Sequence, residues 1–128
     1  MDRIELENRL IEFAVNANHT AVKYGGQKNL KSLGDQLVRS STSVALNYAE
    51  ARGAESTRDF IHKMRIVLKE LRESHVCLKL IERIANGVDK ETMEQLINEN
   101  DELVAIFVAS VKTSEAKLQN SQSSNRIE

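Results

Sequence analysis

The sequence predicts an all-α chain folded as an antiparallel, up-down-up-down four-helix bundle, on three observations. Proline is absent and glycine occurs five times in 128 residues, so the main helix breakers are nearly missing. Apolar residues recur at spacings of three and four along four long stretches, the signature of a helix burying one face. Between these stretches stand only a few residues, containing Tyr24-Gly25-Gly26, Gly53 or Asn86-Gly87, and connections that short lay successive helices alongside one another.

The first helix is expected from about Asp2 to Lys23. Leu6, Leu10, Phe13, Ala17 and Ala21 form one stripe, and Ile11, Val15 and Val22 widen it. Tyr24-Gly25-Gly26 ends it, because glycine accepts the left-handed conformation common just past a helix end. The second helix runs from Lys28–Leu30 to about Arg52 on a seam of Leu30, Leu33, Leu37, Ser40, Val44, Asn47 and Ala51, two of them polar. Gly34 costs about 1 kcal/mol relative to Ala in a helix, which points to an irregular first turn or a close packing contact.

Ser56 and Asp59 resemble a capping box and open the third helix, expected to reach about Asn86. Its seam is Phe60, Met64, Val67, Leu71, Ser74, Leu78, Ile81 and Ala85, over roughly 45 Å of helix. Asp89 caps the fourth helix, and Glu91 and Glu94 suit the positive end of its dipole. Met93, Leu96, Asn100, Leu103, Phe107 and Val111 make the last seam. The bundle is assigned to residues 1–118. Residues 119–128, QNSQSSNRIE, are polar without an apolar stripe and read as a disordered tail. Apolar residues remain over: Ile61, Leu68 and Ile84 fall away from the third seam, and the first helix has two stripes. Either the core is generous or the chain self-associates.

With 18 Lys and Arg against 19 Asp and Glu, net charge exerts no global pull on nucleic acid. The balance is local: residues 54–87 carry seven basic and five acidic side chains, residues 88–118 three and seven. The N-terminus is amphipathic and of mixed charge, unlike a signal peptide, and no run of apolar residues reaches membrane-spanning length. Cys77 is the only cysteine, which suits a reducing compartment, so the expected location is cytoplasmic.

The residues argue against an enzyme, a metal and a cofactor. A di-iron bundle site needs paired Glu-x-x-His motifs and two further Glu, and Asp59-Phe60-Ile61-His62 is the one near match. His75 and Cys77 lie about 200° apart around their helix, too far to share a ligand. Cys77 stands among Val76, Leu78 and Leu80, the setting of an inert thiol. Two polar groups remain. At about 100° per residue, Gln36, Arg39, Ser43, Asn47 and Glu50 fall within roughly 80° of arc beside the core stripe. Paired with Glu73 or Glu70 on the third helix, Arg39 would complete a polar network with Ser43 and Asn47 that sets register; the alternative is a ligand site. Lys69, Arg72, Lys79 and Arg83 occupy roughly one half of the third helix and are the candidate nucleic-acid contacts, without an aromatic stacking platform.

QLVRSSTSVALNYAEA over residues 36–51, then DFIHKMRIVLKE over 59–70 and Arg72-Glu73, resembles the 23S rRNA intervening-sequence protein family across about residues 5–115. The resemblance implies a small bacterial four-helix bundle that assembles as a ring-like homopentamer. Some members are encoded within insertions in ribosomal RNA genes. A related group, the accessory proteins of diversity-generating retroelements, binds nucleic acid and a reverse transcriptase through a basic surface. The shared polar positions of the family fall on Arg39, Ser43, Asn47, Glu50 and Glu73. The expected function is therefore a non-enzymatic scaffold that self-assembles and engages a partner; the alternative is an RNA- or DNA-binding accessory module using the basic residues of the third helix.

Overall fold

The computed structural model describes residues 1–127, with side chains through residue 122. Among the described residues there are four helices and no strand: α1 (Arg3–Tyr24), α2 (Lys31–Arg52), α3 (Thr57–Ile84) and α4 (Lys90–Ile127). The helix starts follow from capping. Asp2 accepts from the Glu5 amide at 2.8 Å, Ser56 from Asp59 at 3.1 Å, and Asp89 from Thr92 at 3.3 Å, each satisfying an amide that a helix leaves orphaned. α2 has no such cap; it starts after Asn29, held at φ 70, and its N-cap Leu30 makes no side-chain bond.

The α1–α2 and α3–α4 loops are tied together. Gln27 donates to the Asn86 carbonyl at 2.9 Å and accepts from the Asn86 amide at 2.8 Å, while the Tyr24 hydroxyl accepts from the Asp89 amide at 3.0 Å. At the other end of the molecule Arg52 reaches Glu7 at 2.6 Å. Cross-helix partners rise in number on one helix as they fall on its neighbour: Ser40 with Ser74 and Glu50 with Lys63 between α2 and α3, His75 with Asp101 and Arg65 with Glu115 between α3 and α4, and Tyr24 with Asp89 and Arg9 with Glu99 between α1 and α4.

The predicted seams supply the core. Leu10, Phe13, Leu37, Val44, Val67, Leu71, Leu78, Leu103 and Phe107 are fully buried, and Tyr48 meets Phe107 edge-on with ring centroids 5.6 Å apart. Gly34 is buried where α2 starts, against the end of α1, and a Cβ on it would meet the Gly25 Cα at 3.5 Å, an ordinary van der Waals contact, so packing does not by itself require glycine there.

Two expectations are corrected. Ile61, expected exposed away from the third seam, is buried, and it lies beside Glu115, Leu118 and Gln119 where α4 continues past the other helices. The segment from Gln119, expected as a disordered tail, continues α4 as helix to Ile127. It contains neither Pro nor Gly, and extending an existing helix costs far less than starting one. Glu128, the last residue of that expected tail, lies outside the described residues.

Candidate functional site

The polar face of α2 does not form one network. Arg39 forks onto α3, with Nη1 3.2 Å from Glu70 Oε2 and Nη2 bonded to Glu73. Asn47 turns back along its own helix and donates to the carbonyl and hydroxyl of Ser43 at 2.9 and 2.8 Å. Glu50 accepts from Lys63 of α3 at 3.1 Å. Arg39, Glu70 and Glu73 are thus brought together, whereas Ser43, Asn47 and Glu50 are engaged elsewhere. Arg39 is also not a buried charge: 55% of its side chain is exposed, against 11% for Glu70.

Of the polar side chains wholly removed from solvent among the described residues, Ser40, Ser74 and Asn100 lie on the heptad seams, while Ser41 turns back to the Val38 carbonyl at 3.3 Å. The hydroxyls of Ser40 and Ser74 meet at 2.8 Å between α2 and α3. Asn100, wholly buried on α4, pairs with the α3 backbone when its amide nitrogen faces the Leu71 carbonyl (3.1 Å) and its oxygen faces the His75 amide (3.3 Å). His75 Nε2 stands 2.8 Å from Asp101 Oδ1 without the alignment of a hydrogen bond. These core contacts join α2, α3 and α4. The signal for them was present as polar residues at apolar heptad positions, the pattern that commonly sets helix register.

Lys69, Arg72, Lys79 and Arg83 are all exposed on α3, and none forms an ion pair among the described residues. Arg58 and Arg65 continue the row toward the start of the helix, within roughly 80° of arc, although Arg65 is bound to Glu115. The acidic residues of α3 fall outside that arc.

Cys77 is buried, and burial raises its thiol above the ordinary value. Among the described residues no three His, Cys, Asp or Glu side chains gather as a metal site requires, and no helix is long and apolar enough to cross a membrane. α1 and α4 form the most open seam. Arg9 bridges its middle, donating to Glu99 and Glu102 at 2.9 Å. Clefts of about 300 and 700 Å³ lie toward its two ends, the larger beside the α2–α3 connection.

With this architecture in hand, comparison with known families is decisive, since the model for the 23S rRNA-intervening sequence protein matches residues 4–109. The chain belongs to the 23S rRNA-intervening sequence protein family. The match reaches into all four helices and takes in every polar contact described above except the Asp2 cap and the ion pair of Arg65 with Glu115. A protein of unknown function from the S23 ribosomal protein family of Bacteroides thetaiotaomicron is similar in structure, with a TM-score of 0.72 and 29% identity over 84% of this chain and 98% of its own. Comparison with curated proteins finds no match.

Proposed function

We propose that this family member is a non-enzymatic, cytoplasmic scaffold that self-assembles through its outer helix faces, built as an up-down-up-down antiparallel bundle. The ladder of cross-helix pairs supports the antiparallel arrangement. The observation that carries self-assembly is a second stripe on α1. Ile4, Ile11, Val15 and Val22 lie within roughly 40° of arc on the side turned away from the core, and Val22 is 83% exposed. Leu46, 62% exposed on α2, adjoins them across a groove floored by Ala14 and Ala45. A separate row, Val76, Leu80 and Ile84, is exposed on α3.

Two unlike apolar surfaces on different sides of one molecule favour head-to-tail contacts, which close into rings. A homopentamer, as the family resemblance implies, has a mass of about 72 kDa, five times the 14.4 kDa chain. Size exclusion with light scattering tests this. A ring is expected for the natural chain and a monomer for Val15→Glu with Leu46→Glu at unchanged helix content. A monomeric mass for the natural chain would sink the proposal.

A second reading, an RNA- or DNA-binding accessory module, is favoured by the four unpaired cations Lys69, Arg72, Lys79 and Arg83. They adjoin the α3 apolar row, so nucleic acid and a neighbouring copy compete for overlapping surface. Retention of RNA that weakens steeply with salt is the mark of phosphate contacts; no retention at low salt removes this reading.

A further inference from the structure

The two apolar surfaces that support self-assembly differ in shape. Between α1 and α2 runs a groove of about 390 Å³, floored by Ala14 and Ala45 and walled by Ile11, Val15 and Leu46. Its lining holds no Lys, Arg, Asp or Glu. On α3, Val76, Leu80 and Ile84 are exposed at intervals of four residues, the spacing of a ridge on a helix surface. The ridge rises roughly 12 Å along its helix from Val76 to Ile84, and the groove wall rises as far from Ile11 to His19.

The charges beside these surfaces are opposite. Every exposed residue of α3 from Arg72 to Ile84 is either a cation or an aliphatic side chain: Arg72, Val76, Lys79, Leu80, Arg83 and Ile84. The acids of that stretch, Glu73 and Glu82, are half-buried, and Glu73 is bound to Arg39. α1 is the converse. Its exposed residues from Ile4 to Val22 include Glu5 and Glu12 and neither Lys nor Arg, because Arg9 is turned to Glu99 and Glu102 of α4. Glu5 and Glu12 form no ion pair among the described residues.

Pairing like with like sets these charges against one another. Groove on groove brings Glu5 and Glu12 of two copies together, and ridge on ridge does the same to Arg72, Lys79 and Arg83; like charges facing across an interface are costly. Ridge in groove joins opposite charges and covers the apolar residues of both. We propose that the α3 ridge of one copy seats in the α1–α2 groove of the next, with the cations of the ridge beside Glu12 and Glu5. A second copy of this chain is thus the occupant of both surfaces, a pairing that rests on the self-assembly proposed above. Each contact leaves a free groove on one copy and a free ridge on the other, so the contact repeats until a ring closes.

The test is complementation between two variants, followed by sedimentation equilibrium from micromolar to millimolar chain. The groove variant, Val15→Glu with Leu46→Glu, keeps its ridge; the ridge variant, Val76→Glu with Leu80→Glu, keeps its groove. All four side chains are exposed, so both variants fold, which helix content checks. Each alone is expected to be a monomer near 14.4 kDa, and an equimolar mixture to give a heterodimer of about 29 kDa, twice that mass, through the one intact contact. Glu5→Lys with Glu12→Lys should weaken assembly by about tenfold or more, and Lys79→Glu with Arg83→Glu in the same chain should restore it. A mixture that stays monomeric, a dimer formed by either variant alone, or no rescue would overturn the pairing while the natural chain still assembles. A natural chain that is itself monomeric would overturn the pairing and self-assembly together.

Discussion

Ser40 of α2 and Ser74 of α3 share a hydroxyl bond of 2.8 Å in the middle of the core, where both residues are fully buried. Neither is needed for bulk, and an Ala at either place would suit a helix better. What the pair supplies is a fixed height of one helix against the other. Removing one member strands the other, whereas removing both strands nothing.

Ser40→Ala and Ser74→Ala are therefore each expected to cost about 0.5–1.5 kcal/mol, and the double variant less than their sum. Ser40 keeps a fallback acceptor in the Leu37 carbonyl at 3.4 Å, so Ser74→Ala should be the milder change. Denaturant titration of the four proteins checks this, and strict additivity would count against the pair as a unit.

Arg39 gives an asymmetric prediction. Glu73→Gln removes a half-exposed partner and should cost about 0.2–1 kcal/mol. Arg39→Met leaves Glu70, a buried carboxylate, without its cation, and should cost about 1–3 kcal/mol. Thermal unfolding of both variants decides it; equal costs would mean that Glu70 finds solvent.

Asp89 predicts a pH dependence. Hydrogen bonds, first from the Thr92 side chain and then from its amide, hold this carboxyl below its ordinary value of 3.8. Its stabilising effect is therefore complete above the unfolded value and lost as pH falls through the lower folded one. Asp89→Asn retains a capping side chain that does not titrate. The thermal midpoints of the two proteins should run parallel above about pH 5 and converge in stronger acid. Parallel curves throughout would exclude the carboxylate cap.

Cys77 should be slow to react. Burial both shields the sulfur and disfavours its thiolate, the nucleophilic form. Alkylation by iodoacetamide at neutral pH is expected to track unfolding, accelerating sharply in denaturant; rapid labelling of the native chain would show the thiol to be accessible.

How much of this was legible follows from what each feature depends on. Helix number, the caps at Ser56 and Asp89 and the seams depend on local spacing, so a single chain displays them. The partner of Arg39 was narrowed to Glu70 and Glu73, a turn apart, because a long side chain spans one turn; that it takes both depends on axial position. The fate of Asn47 and Glu50 depends on rotations of a few tens of degrees about the helix axis, which periodicity does not define. Ile61 is buried beside the continuation of α4 past Glu115, a segment that reads in the sequence as a polar tail and so gives no sign of covering it. The larger cleft, beside the α2–α3 connection, is lined by residues as far apart in sequence as Arg3 and Lys117, and no local pattern connects them.

The two ends of the molecule are finished differently, one laced by Gln27, Tyr24 and Asn86 and the other left open beneath a projecting α4. Rotation about a single axis turns every copy the same way up. A ring of such subunits therefore has polarity, with one laced rim and one rim bearing the larger cleft and the helical extension of every copy, so that whatever it meets on its two sides it meets with two different surfaces.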